Sequence, residues 1–425
     1  MKSDVLNKIK KEKFSPSWWD DFLVETNNMT KTNVIKESIS ADEILQFKRL
    51  VLKIISKLSH LKTTKYGYRI FVDKHQLDKN EMNKIYNTPP SSNDTVESWC
   101  ERVFEDKEFG IIINSAERFN NKLSKKIAIK SKPLLDKMGF PIEGINFTLF
   151  IGNYNNTPIG IHQDMPGENV IHYHLGPGNK SMFIWENEVF EKLEKKFNKN
   201  DIDRFIPYAK EYKYEPGDIY FMPQGVYHVG RQKGLSIALT YWFYNHSKKR
   251  IVEKLNTVLM EQYLDETHEL LPSDLNPIDD LSNIDNILTA YKIPSEFKNY
   301  NLRELLREAY RDLRYTISSN SGYRTSIFPI NKEKDINPKL KIIIEKPFKI
   351  LYNNSAEKGR MNVYLRGRKF TFKKIESIKK LADKINEGNV LSVKEVLHLV
   401  EDSLDKNTVF YLINLFYKYR AIRIL

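Results

Sequence analysis

Cysteine is nearly missing from this chain: Cys100 is the only one in 425 residues. No intrachain disulfide can form, and no CxxC pair exists for zinc or thiol exchange. There is also no G-x-x-x-x-G-K-[ST] phosphate loop and no G-x-G-x-x-G after a strand, so nucleotide binding loses its usual handles. No stretch approaches the ~18 apolar residues of a membrane span. The start, Met1–Lys11, lacks the apolar core of a secretory signal. These absences suit a reducing, cytoplasmic setting.

Positive charge is abundant, and its location says more than its size. The net charge is +13. Lys339 to Leu425 hold 19 Lys and Arg against 9 Asp and Glu, a net +10, which leaves +3 for everything before. A basic terminal unit favours an acidic partner. Apolar residues make up 40% and aromatics 12%, enough for real cores in two or three domains.

The chain reads in four parts. Residues 1–100 look helical, with Ala41–Leu61 clearest: Ile44, Phe47, Val51, Ile54, Ile55 and Leu58 recur at helical steps. Trp18-Trp19 in this part is either an anchor for the N-terminal arm or an aromatic peptide site. Residues 101–247 carry apolar runs typical of buried strands, Phe147–Ile151 and Ser236–Phe243, with a charged helical insertion at Glu186–Lys213. Residues 248–338 return to amphipathic helices, a linker or a dimerisation region. Residues 339–425 place an amphipathic helix (Ile378, Leu381, Ile385), a Ser392-x-x-Glu395 capping box, a third helix capped by Asp405, and an alternating end, Arg420–Leu425. That order reads as a winged helix.

The chemistry concentrates in the second part. His162-x-Asp164 follows a Gly/Asn/Pro-rich turn, and residues two apart on an extended segment share a face. His228 closes the run Gly217-x5-Pro223-x-Gly225-x2-His228. Two imidazoles and one carboxylate on one side of a metal make the facial triad of non-haem Fe(II) oxygenases. His172-x-His174 has ligand spacing too. The alternative is that these two line the pocket.

At these residues the chain resembles the JmjC class of Fe(II)/2-oxoglutarate oxygenases, and within it the protein hydroxylases, the asparaginyl hydroxylase and ribosomal oxygenase branch. The resemblance implies an α+β fold: a double-stranded β-helix (jelly-roll) barrel of the cupin/JmjC type with flanking helices and a C-terminal winged-helix-like domain. It implies Fe(II) on His162, Asp164 and His228, with 2-oxoglutarate and O2 as co-substrates. The turn Gly176-Pro-Gly-Asn-Lys180 matches the family lysine that meets the distal carboxylate of 2-oxoglutarate. Asn169 and Thr240 match positions at the other end of that co-substrate. Thr157 resembles a family threonine near the lysine, and Arg231 is the next candidate cation.

Three functions follow from this reading. The first is hydroxylation of a side chain of a protein or peptide, such as a ribosomally made precursor peptide or a ribosomal protein. Here the basic terminal domain would hold an acidic leader peptide. The second is hydroxylation of a tRNA base, with RNA on that domain, where Tyr364 and Phe370 lie near Arg366 and Arg368. The third is a non-catalytic cupin and winged-helix regulator. A homodimer through 248–338 is a further expectation, and membrane association is not expected.

Overall fold

The computed structural model describes residues 12–425, so the reading of Met1–Lys11 as free of a secretory core lies outside the described residues. Two compact units divide the chain. One runs up to Asn245 and takes in Ser321–Phe328; the other is His246–Asn320 with Pro329–Leu425.

Among the described residues of the first unit, eleven strands form two antiparallel sheets. They are β1 (Asn33–Ile35), β2 (Tyr68–Val72), β3 (His75–Gln76), β4 (Phe109–Ile113), β5 (Ile145–Gly152), β6 (Glu168–Pro177), β7 (Lys180–Trp185), β8 (Lys210–Tyr214), β9 (Ile219–Met222), β10 (Tyr227–Gln232) and β11 (Ser236–Tyr244). The larger sheet has the order β1-β9-β6-β11-β5-β4-β2-β3, and the smaller β10-β7-β8. Three strands, β1 to β3, lie within the stretch read as helical. They are short, and their apolar alternation is too brief to register against the longer helical patterns around them.

The large sheet is covered on both faces, which is why its central strands read as unbroken apolar runs. Register separates the two faces. Thr148, Thr240, His172 and Tyr220 align across β5, β11, β6 and β9. One residue along, Phe147, Tyr241, Ile171 and Phe221 form the opposite row. That second row meets a helical layer. Tyr241 Oη donates to Ser131 Oγ on the helix Asn121–Met138, and Phe221 meets Phe22 edge-on. Trp19 is fully buried there and its Nε1 donates to the Lys130 carbonyl, so Trp18-Trp19 is an anchor. The helix Ala41–Leu61 buries Phe47, Val51, Ile54, Ile55 and Leu58, as its periodicity predicts, adds Leu50, and leaves Ile44 half-buried. Between β7 and β8, Trp185, Phe190 and Phe205 form a separate apolar cluster.

In the second unit, the helices Lys248–Tyr263 and Leu302–Ser319 pack through Leu255, Leu259 and Ala309. Downstream, β12 (Lys341–Ile344) is followed by the meander β13 (Leu351–Asn354), β14 (Arg360–Leu365) and β15 (Arg368–Lys373). The helices Glu376–Asn386, Val393–Val400 and Lys406–Lys418 then share one core with Ile342, Val363 and Leu365. Ser392 and Glu395 form the predicted capping box, and Asp405 caps the third helix. Two short strands, β16 (Leu391–Ser392) and β17 (Ile422–Ile424), flank β12. Tyr364 and Arg366 are buried: Tyr364 bonds the Asp312 carboxylate, and Arg366 lies over the Phe348 ring. Neither belongs to an exposed stacking surface. Among the described residues no helix is long and apolar enough to cross a membrane.

Candidate metal centre

His162 and Asp164 sit in the loop between β5 and β6, and His228 is on β10. One isolated antiparallel bridge joins them. His162 N–H donates to the His228 carbonyl at 3.1 Å, and His228 N–H returns the bond at 2.9 Å. The two rings are therefore neighbours, with centroids 4.2 Å apart. Asp164 reaches both: its oxygens lie 3.9 Å from each Nε2. Among the described residues this is the one group of three such side chains whose ligand atoms fall within 4.8 Å of one another.

Second contacts decide which nitrogen is available. His162 Nδ1 lies 2.9 Å from the Gly160 carbonyl, and His228 Nδ1 lies 3.1 Å from the Val226 carbonyl. A carbonyl only accepts, so each Nδ1 carries the proton and each Nε2 keeps a lone pair facing Asp164. This is how metal-binding histidines are usually oriented. Burial pushes the His228 imidazole down to about 4. Burial, then His228, lowers that of His162. Burial raises the Asp164 carboxyl, opposed by His162. Two neutral imidazoles and one carboxylate fit a divalent first-row ion, which such a set would bind with little proton release.

Beside these three lies a cavity of about 220 Å³. The large sheet contributes Arg69, Thr148, Phe150, His172 and Trp242, with Asn114 just past β4; the small sheet contributes Lys180, Met182, His228 and Gly230. Lys180 is only 5% exposed. Among the described residues no carboxylate or hydrogen-bond acceptor holds its ammonium, and burial alone pushes it down to about 8. Thr157 lies close by. Its hydroxyl donates to the Gly230 carbonyl and accepts from the Gly230 N–H, both at 3.1 Å. A Cβ at Gly230 would stand 2.9 Å from that hydroxyl and 3.4 Å from Lys180 Cε, so glycine is required for the approach. A wider groove of about 700 Å³ meets the cavity at Tyr154, Thr157, Ile159 and His162.

The structure thus gathers His162, Asp164, His228, Lys180 and Thr157. Thr240 and Asn169 do not line the cavity. The buried Thr240 hydroxyl bonds His172 Nδ1 at 2.9 Å, and the Asn169 side chain accepts from Gln224 N–H. His172 lines the cavity, whereas His174 turns its Nε2 to the Gly178 carbonyl at 2.7 Å. Arg231 is engaged by Asn156 and Asp203. Sequence reasoning missed Arg69, Asn114 and Trp242. Arg69 comes from β2, far upstream of the motifs, and carries no motif signal of its own.

No family model and no curated protein matches the sequence. Among solved structures, the chain is similar to YcfD, a ribosomal oxygenase from Escherichia coli: 14% identity, 96% of this chain, 97% of that one, TM-score 0.46. A structure of YcfD in complex with cobalt and 2-oxoglutarate gives 14% identity, 96% and 98% coverage, and TM-score 0.46. A variant of the oxalate decarboxylase OxdC from Bacillus subtilis matches at 15% identity over 33% of this chain and 26% of that one, TM-score 0.20. At values this low, the chemistry is read from the site's own atoms.

Proposed function

We propose that this protein is an Fe(II)- and 2-oxoglutarate-dependent oxygenase that hydroxylates a side chain of a protein or peptide. One observation carries the reading. A buried lysine without a counter-ion shares a small cavity with two imidazoles and a carboxylate set for one metal. A buried ammonium is costly unless an anion offsets its desolvation. The cavity therefore calls for a small anionic ligand that reaches from metal to lysine, and 2-oxoglutarate has a carboxylate for each end.

His162, Asp164 and His228 would hold Fe(II), which with bound 2-oxoglutarate supplies O2 activation and releases succinate and CO2. Everything else is done by the protein. Lys180 fixes the distal carboxylate, and Thr157 locks β10 against the lysine stem. Thr240 fixes the His172 ring and so acts as a positioning residue. Phe150, Met182, Met222 and Trp242 keep water from the reacting face. The groove at Tyr154 and Ile159 admits an extended peptide, leaving one side chain to enter the cavity.

On the same reading, the two sheets of the first unit are the halves of a jelly-roll barrel, and the end of the second unit is a winged-helix-like module that recruits an acidic partner. The test is anaerobic addition of Fe(II) and 2-oxoglutarate, followed by O2. We expect a visible charge-transfer band, then slow succinate release without substrate. A protein that binds Fe(II) but neither binds nor turns over 2-oxoglutarate would overturn the reading and leave a non-catalytic metal site.

A further inference from the structure

The cavity holds two cations, Lys180 and Arg69, and one carboxylate, Asp164. Arg69 is half-buried on β2, in register with Ile112 of β4. Among the described residues no ion pair or hydrogen bond holds its guanidinium. If the cavity works as proposed above, its charges can be paired off. A divalent ion is offset by Asp164 and by one carboxylate of 2-oxoglutarate. Lys180 is offset by the other. Arg69 remains on the wall of the same cavity, with five donors that no described residue holds.

We propose that Arg69 docks an acidic side chain of the substrate, so that the residue presented to the metal is Asp or Glu. The inference rests on the oxygenase reading and names the substrate class for it. A guanidinium matches a carboxylate with two parallel N–H···O bonds. It repels cationic side chains, which adds selectivity against them. The dimensions favour a side chain. A cavity of about 220 Å³ that also takes the co-substrate admits one carboxylate, not a phosphodiester backbone. The basic stretch Lys339–Leu425, net +10, would also draw an acidic polypeptide towards the protein.

The test uses full-length protein loaded with Mn(II), which holds the site without turnover. Titrating 2-oxoglutarate by calorimetry comes first. Three capped pentapeptides follow, identical except for a central Asp, Asn or Lys. We expect the Asp peptide to bind the ternary complex about tenfold more tightly than the Asn peptide, and the Lys peptide least. Arg69→Gln should remove that preference while leaving the affinities for Mn(II) and 2-oxoglutarate within about twofold. Arg69→Glu should turn the preference towards the Lys peptide, a result that misfolding cannot imitate. Equal binding of all three peptides to the wild type overturns the proposal. So does an Arg69→Gln variant whose loss falls on 2-oxoglutarate, since Arg69 would then belong to the co-substrate. A short RNA that displaces the Asp peptide from the wild type but not from Arg69→Gln would assign Arg69 to a phosphate and overturn it too. Failure of the wild type to bind 2-oxoglutarate would sink the oxygenase reading itself, and this inference with it.

Discussion

His162-Gln163-Asp164 and His172-Tyr173-His174 offer ligand-type side chains at the same spacing, one segment in a loop and the other on β6. The first converges with His228; the second does not. Spacing cannot tell them apart, because residues two apart share a face in both. What separates them is the nitrogen left over. In His162, a backbone carbonyl engages Nδ1 and leaves Nε2 towards Asp164. In His174, a carbonyl engages Nε2 itself, and Nδ1 is buried without a partner. His172 spends Nδ1 on Thr240, as His162 does on Gly160, but its ring stays outside the group whose ligand atoms converge. A histidine pair becomes a metal site only when its second contacts release convergent lone pairs.

The largest expected effect tests that contrast directly. His162→Ala, Asp164→Ala and His228→Ala should each weaken Fe(II) binding more than about a hundredfold, beyond the usual cost of losing an outer contact, and abolish turnover. His174→Ala should keep the metal. Metal content after dialysis and calorimetry with Mn(II) decide it. Iron lost from His174→Ala but retained by Asp164→Ala would exchange the roles of the two segments.

Next comes the cation that lines the same cavity. Lys180→Ala should raise the Kd of 2-oxoglutarate about thirty- to a hundredfold, some 2–3 kcal/mol, with Fe(II) affinity unchanged. Unchanged co-substrate affinity would remove Lys180 from the site. Arg231 is not a ready replacement, since Asp203 already holds its guanidinium.

The same lysine gives a pH dependence. Burial brings its ammonium from 10.5 down to about 8, so in the empty cavity it is cationic below that pH and neutral above it. Only the cation attracts a carboxylate. Affinity for 2-oxoglutarate should therefore be full below about pH 8 and fall by up to about tenfold per unit above it. Lys180→Ala should flatten that slope. A wild-type affinity constant from pH 7 to 9.5 would show that the ammonium stays charged without the ligand.

The smallest effect concerns the unused pair. Thr240→Val removes the hydroxyl that holds His172. At about 1 kcal/mol for one hydrogen bond, turnover should drop about fivefold, with metal content intact. Loss of metal from this variant would mean that His172, not only His162, bears on the ion.

Much of the fold and of the site is legible in the residues themselves. The apolar runs form β5 and β11, because a strand covered on both faces is mostly apolar. The stripe on Ala41–Leu61 is a buried helix face. The turn at Gly176–Lys180 places the lysine at the start of β7. Other features are not legible there. Ser321–Phe328 sits amid helical sequence, yet Tyr323 bridges Ile145 of β5. Arg366 reads as one more surface charge in a basic stretch and is 2% exposed, over an aromatic ring. Arg69 has no motif at all.

The amino-acid sequence by itself determined the ligand types, their spacing and the strand and helix periods that present them, because each depends on neighbours a few residues away. The tertiary structure alone decided which imidazole nitrogens stay free, that Lys180 is buried without a counter-ion, and that Arg69 joins the cavity from β2. Hydrogen-bond partners and desolvation are set by contacts between strands distant in the chain, and no local pattern encodes them.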